Sequence, residues 1–278
     1  MHFVVFNASF RKKGNSEILS RLVLREALKQ GADTGEIINL RDFHLDQCNG
    51  CMRCVFKNER CPLPDDFYPL MDNILKADAF LLIAPTYVTT IPGSLKLLID
   101  RYLLMPPYFG QLYLRPAASI GIASPIDWFS SQLPFMNIFL LGLGFKIEES
   151  FIVYGAGPGE VLLENDVLSR LKSTVKRLCS SALNPAPVSF PDQLSEHCPV
   201  CFTTLFERID EKRIRCPICH SQAEWKETGF FFREESMKNH RWTKSNIEDH
   251  FKNWILRTKD IFRQNLPQII QRKRTLGL

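Results

Sequence analysis

Two short cysteine knuckles constrain this chain more than any other feature. Cys198-Pro-Val-Cys201 and Cys216-Pro-Ile-Cys219 each turn sharply enough to aim two sulfurs inward, and 14 residues separate them. Four thiolates so spaced complete a closed tetrahedral metal site, so this stretch is expected to fold around an ion. The spacing is close to that of a zinc ribbon. A rubredoxin-like iron site uses similar knuckles and stands as the alternative. His197 and His220 flank the knuckles and, with four sulfurs already present, read as surface residues rather than ligands.

The remaining five cysteines divide differently. Cys48, Cys51, Cys54 and Cys61 fall within one loop-sized stretch, while Cys179 stands alone in a helical pattern. An odd total of nine, in tight spacings, argues for a reducing compartment with thiolates on metals, hence the cytoplasm. The Cys48–Cys61 spacing is compact enough for one [4Fe–4S] cluster. Redox-active thiols and a zinc site fit the same spacing.

Charge and proline content split the chain in two. Residues 195–278 carry 16 Lys and Arg against 11 Asp and Glu, which leaves 19 against 19 before them, so the net +5 lies in the C-terminal third. That excess is modest beside the concentrated basic face of a nucleic-acid binder, so no such partner is expected. Three prolines in 184–195 read as a linker. No stretch approaches the roughly 18 apolar residues of a membrane span. The opening Met-His-Phe-Val-Val-Phe-Asn lacks the basic segment of a signal peptide and reads as a first strand.

Before the linker, short apolar runs alternate with helical periodicity. Phe3–Phe6, Glu36–Asn39, Ala79–Ala84, Ala117–Ala123 and Lys146–Val153 read as strands. Helical patterns follow over Ile18–Leu28, from Leu95, over about 131–141 and from about Glu160 to Ser180. Such alternation predicts a doubly wound parallel sheet, whose ligands bind beyond the carboxyl ends of the strands. The loops at that edge are 7–16, 85–93, 124–130 and 154–160. The first runs from a strand into a helix, so free N–H groups and the positive helix end face its occupant. Ser9, Asn15 and Ser16 add donors and Arg11 a guanidinium, a set suited to a phosphate dianion. An ordinary helix cap at Asn15 or Ser16 is the plainer reading of the same residues.

Three motifs in order carry a family resemblance. Ala8-Ser9-Phe10-Arg11-Lys12-Lys13-Gly14-Asn15-Ser16 resembles the first loop, G-S-P-R-x-x-G-N-[ST], of the NADPH-dependent FMN reductase and iron–sulfur flavoprotein family. Pro85-Thr86-Tyr87 with Leu95-Lys96-x-x-x-Asp100-Arg101 resembles its second motif, and Cys48-Asn-Gly-Cys51-Met-Arg-Cys54 with Cys61 its cysteine segment. Ala8 stands for a Gly and Phe10 for a Pro. Both substitutions change loop shape without removing a phosphate donor.

The resemblance implies a flavodoxin-like α/β fold with a five-stranded parallel sheet. It covers roughly residues 1–180 and implies an FMN-binding domain over 1–183; the composition break and the knuckles add a linker at 184–195, a zinc-ribbon-like module over 196–230 and a helical tail over 231–278. Ser9, Arg11, Asn15 and Ser16 would bind the FMN phosphate. Pro85, Thr86, Tyr87 and Val88 would line the isoalloxazine, with Gly155 and Gly157 on a third loop. Cys198, Cys201, Cys216 and Cys219 would hold structural zinc or iron, and Cys48, Cys51, Cys54 and Cys61 a [4Fe–4S] cluster. The implied activity is hydride transfer from NAD(P)H through FMN to a small redox acceptor. Electron carriage between ferredoxin-like donors and a partner is the alternative. A homo-oligomer, dimer or tetramer, is implied as well. In the tail, Ser245-x-x-Glu248 reads as a capping box opening a helix with Ile247, Phe251, Trp254, Ile255 and Phe262 on one side. Lys96 and Asp100 read as a helix-surface pair.

Overall fold

Strand β1 (His2–Asn7) is buried along nearly its whole length because it lies inside a sheet covered on both faces. In this computed structural model, which describes residues 1–124 and 128–278, β1 pairs in parallel with β2 (Thr34–Asn39) on one side and β3 (Ala79–Pro85) on the other. Strands β4 (Pro116–Ala123) and β5 (Lys146–Tyr154) extend the sheet to the order β2-β1-β3-β4-β5. Residues of alternating parity enter different cores. Val4, Phe6, Phe80 and Leu82 face one side, while Phe3, Val5, Leu81 and Ile83 face the other.

The connections are helical: α1 (Asn15–Lys29), α2 (Arg53–Phe56), α3 (Phe67–Ile74), α4 (Gly93–Asp100), α5 (Pro106–Leu112), α6 (Gln132–Gly142) and α7 (Val167–Leu183). Helices α1 and α7 cover one face, contributing Leu19, Val23, Leu171 and Val175 to its core. The last helix starts later than its sequence pattern implies, because Glu160–Leu162 form a separate 3₁₀ turn before it.

A second, antiparallel sheet follows, built from β6 (Gln193–Ser195), β7 (Glu207–Arg208), β8 (Arg213–Arg215), β9 (Gln222–Lys226) and β10 (Gly229–Phe232) in the order β6-β10-β9-β8-β7. Strand β6 lies within the stretch expected to be a linker. It pairs with β10, Leu194 opposite Phe231. The core over Phe6 and Phe80 runs on into Cys198, Cys201, Cys216, Cys219, Phe232 and Met237, so the second sheet packs against the first domain.

The tail consists of α8 (Glu234–Lys238), α9 (Lys244–Asp249), a π-helical turn over His250–Ile255 and α10 (Thr258–Thr275). Thr243, not Ser245, caps α9: its hydroxyl accepts from the Asn246 N–H at 3.3 Å. The serine lies one turn position inside the helix, which removes it from the cap. Trp242 anchors this tail, its indole N–H donating to the Ile218 carbonyl at 2.8 Å and its ring meeting Tyr102 edge-on. Among the described residues no helix is long and apolar enough to cross a membrane.

Candidate functional site

The strand order reverses between β1 and β3, which places the loop after β1 at the topological switch point. Asn7, fully buried, shapes the start of that loop. Its amide donates to Asn39 and its carbonyl oxygen accepts from the Ser9 N–H at 3.1 Å. Ser9 Oγ accepts from the Arg11 N–H, which leaves the hydroxyl hydrogen free to donate outward. Gly14 stands at the N-cap of α1, and among the described residues no side chain caps the helix. A Cβ on Gly14 would meet the Arg11 side chain at 3.0 Å, so the glycine lets the arginine stem fold over the helix start.

These residues fit a phosphate. The uncapped first turn, the Ser9 and Ser16 hydroxyls and the Arg11 guanidinium together supply the donors that a dianion needs. Asn15 has a bracing task that the sequence does not announce. Its amide donates to the Gly155 carbonyl at 3.0 Å and its oxygen accepts from the Gly159 N–H at 2.7 Å. It therefore ties the loop over 154–160 to α1 with its oxygen and one amide hydrogen. Gly155 permits the closure, since a Cβ there would lie 2.7 Å from Val161 and 3.0 Å from Asn15. Gly157 accepts from the Glu160 N–H, and Glu160 in turn accepts from Ala156, which closes the loop on itself.

The loop after β3 is a tight turn. Tyr87 and Thr90 exchange backbone hydrogen bonds of 2.8 and 3.1 Å, and Val88 and Thr89 between them both have positive φ, +46° and +66°. Such turns favour Asn and Gly, and β-branched residues there are strained. Tyr87 is 52% exposed and Val88 81% exposed. Phe10 on the first loop and Trp128 on the loop after β4 are exposed too, so the sheet's carboxyl edge presents apolar surface from three loops. A planar ring system fits that edge better than water does. Residues 125–127 of the loop after β4 lie outside the described residues.

Gln132 went unnoticed in the sequence because nothing marks a glutamine at a helix start as special. It is fully buried, accepts a hydrogen bond from the Thr86 hydroxyl and donates to the Ala84 carbonyl at 2.8 Å. Thr86 is thus held by its hydroxyl, with its N–H on Ile122, and Pro85 closes the strand. Lys96 and Asp100 pair along α4 as expected of i, i+4 residues on one helix face.

The four sulfurs of Cys198, Cys201, Cys216 and Cys219 lie within 4.8 Å of one another, and all four residues are buried. Cys198 and Cys219 approach to 3.3 Å, as do Cys201 and Cys216. Tetrahedral zinc at about 2.3 Å from each sulfur would place the sulfurs about 3.8 Å apart, so the set fits one ion after a small expansion. Burial pushes the Cys198 and Cys201 thiols far up, a penalty that a cation would remove. Each knuckle ends on a positive-φ residue, Phe202 or His220. His197 stacks on Phe202 and His220 pairs with Arg241, so neither joins the sulfurs.

Cys48 and Cys51 are exposed, Cys54 and Cys61 half-buried, and together they line a small cavity with Arg101 and Leu104. Among the described residues, no three of these four have sulfurs within 4.8 Å of one another, which sets them apart from the C-terminal site. Burial, then the neighbouring Cys61, Cys51 and Cys48, raises the Cys54 thiol. Cys179 on α7 is buried against α1, its Sγ 4.0 Å from the Ala27 carbonyl.

The chain is 34% identical over 101 residues to an iron–sulfur flavoprotein of Archaeoglobus fulgidus, covering 36% of this chain and 48% of the relative. An iron–sulfur flavoprotein of Methanocaldococcus jannaschii matches equally, 34% over 101 residues, 36% and 51% of the two chains. The matched stretch spans about half the length of these relatives. A solved flavone reductase shares the fold with a TM-score of 0.69 at 18% identity, covering 98% of this chain and 92% of its own, C-terminal module included. The profile of the NADPH-dependent FMN reductase family matches residues 1–143, and the chain belongs to that family.

Proposed function

We propose that the protein is an FMN-dependent NAD(P)H oxidoreductase passing electrons to a small acceptor. The observation that carries this reading is the uncapped start of α1 at the switch point, flanked by Ser9, Arg11 and Ser16. Bound FMN would supply the hydride chemistry, taking a hydride from the nicotinamide and passing electrons on. The protein's part is placement. Arg11, Ser9 and Ser16 hold the phosphate, Asn15 holds Gly155 and Gly157's loop closed, and Pro85, Thr86, Tyr87 and Val88 present the ring face. Four buried sulfurs favour a structural metal in the C-terminal module, zinc by ligand set. Nine cysteines, none in a disulfide, favour a reducing, cytoplasmic setting. The exposed Tyr87 and Val88 favour a homo-oligomer that closes over the flavin edge.

A test uses purified full-length protein. It should carry FMN released on denaturation, and anaerobic NADPH or NADH should bleach the bound flavin. Protein that neither contains nor takes up FMN would sink the reading. A second reading, an electron carrier with FMN and a [4Fe–4S] cluster, draws on the four cysteines around one cavity. A flavin that stays oxidised with either nicotinamide, yet is reduced by a ferredoxin-type donor, would select it.

A further inference from the structure

We propose that Arg101 is a positioning residue for an anionic iron–sulfur cluster held by Cys48, Cys51, Cys54 and Cys61, and that it raises the cluster's reduction potential. This rests on the reading that the cysteine loop carries a cluster. Arg101 lines the cavity shared by the four cysteines, yet its side chain is only 1% exposed. One terminal nitrogen donates to Asp65, whose side chain is also fully buried. The guanidinium carbon lies over the Phe67 ring, 4.4 Å from its centroid. The Nε and Nη2 groups remain without a partner among the described residues.

Buried guanidinium N–H groups demand acceptors. Asp65 also accepts from the Asp46 and Phe67 N–H groups, and it engages neither Nε nor Nη2 of Arg101. What the neighbourhood lacks is an anion with several acceptor atoms in the cysteine cavity. A cubane bound by four thiolates is such an anion, and its sulfides accept hydrogen bonds. A mononuclear zinc site fits less well, since no three of these sulfurs lie within 4.8 Å of one another among the described residues. A cubane puts each thiolate on a separate iron and so wants a wider set. Further support comes from the loop's own anchoring: the Cys61 N–H donates to the Tyr68 hydroxyl, and Tyr68 meets Phe67 edge-on beneath Arg101.

Each electron added to a cluster increases its negative charge. A buried cation with N–H donors at its side therefore stabilises the reduced form. Arg101→Lys keeps a charge for Asp65 but loses the planar donors. The double variant R101M/D65N removes both charges together, so no buried carboxylate is left unpaired. The experiment reconstitutes full-length protein anaerobically with iron and sulfide, counts iron and sulfide per chain, and measures the cluster midpoint by redox titration with absorbance or EPR detection. The expected result is four irons per wild-type chain, the same cluster in R101K, and a midpoint lower than wild type in R101K and lower again in R101M/D65N. If wild type takes up FMN but no cluster, the reading beneath the inference fails and Arg101 with it. If wild type holds the cluster and R101K shows an unchanged midpoint, the inference about Arg101 alone is overturned, whether or not the double variant folds.

Discussion

The Asn137 side chain donates to the Cys201 carbonyl at 2.7 Å, so a buried amide on α6 holds one knuckle of the C-terminal cysteine site. The same amide reaches Ser150, and its oxygen accepts from Ser119, a network wholly inside the protein. Gln132, at the start of the same helix, holds Thr86 in the loop after β3. One helix thus supports both the cysteine knuckle and the edge where the flavin is proposed to sit. Asn137→Leu should destabilise the protein by about 1–3 kcal/mol, because the Cys201 carbonyl and both serines lose a buried partner. Chemical denaturation of metal-loaded protein would check this, and an unchanged midpoint would remove the network's structural role.

Arg11 and Asn15 should fail in different ways. Arg11→Ala removes a charge-assisted contact to the proposed phosphate, worth roughly 1.5–3 kcal/mol, so FMN affinity should fall about ten- to a hundredfold with little change in stability. Asn15→Ala breaks the bonds to Gly155 and Gly159 and should lower both stability and FMN affinity. Riboflavin, which lacks the phosphate, separates the two: the Arg11 variant should bind it as wild type does. Fluorescence titration with both flavins reads the difference.

The strained turn offers a prediction in which two properties move oppositely. Replacing Val88-Thr89 with Asn-Gly supplies residues that accept positive φ and should stabilise the fold by about 1 kcal/mol. The same change deletes the exposed Val88 side chain from the flavin edge, so FMN binding should weaken. A variant that gains stability and keeps full FMN affinity would remove Val88 from the ring contact.

How far the sequence could be read follows from which interactions are local. Continuous apolar runs such as Ala79–Ala84 announce strands buried on both faces, and the cysteine spacing announces the converging sulfurs. Helices α3 and α5 are missing from the sequence reading because each is short and prolines sit within or beside it. Strand β6 hides among prolines because its only partner is β10, some 35 residues later. The task of Asn15 and the importance of Gln132 and Arg101 depend on contacts 30 to 140 residues distant, which no local pattern records. Motif residues stand out as a set in the sequence, whereas the bracing bonds of Asn15 and Gln132 need the fold.

Acid should act through Glu17. Its carboxylate accepts from the Lys13 N–H at 3.0 Å and then from Arg21 and Arg41, which lowers its pKa to about 2. The folded value therefore lies below the ordinary carboxylate value near 4.3 of an unfolded chain. A group depressed in this way contributes stability that is fully present above that unfolded value and lost as pH falls toward about 2. Glu17→Gln should lower stability at neutral pH, and the gap between variant and wild type should close between about pH 5 and 2. Because the Lys13 N–H bond shapes the turn just before Gly14, the variant's FMN affinity at neutral pH should fall as well. Urea denaturation across that pH range gives the first result and flavin titration the second; parallel stability curves for the two proteins would remove Glu17 as the acid-sensitive group.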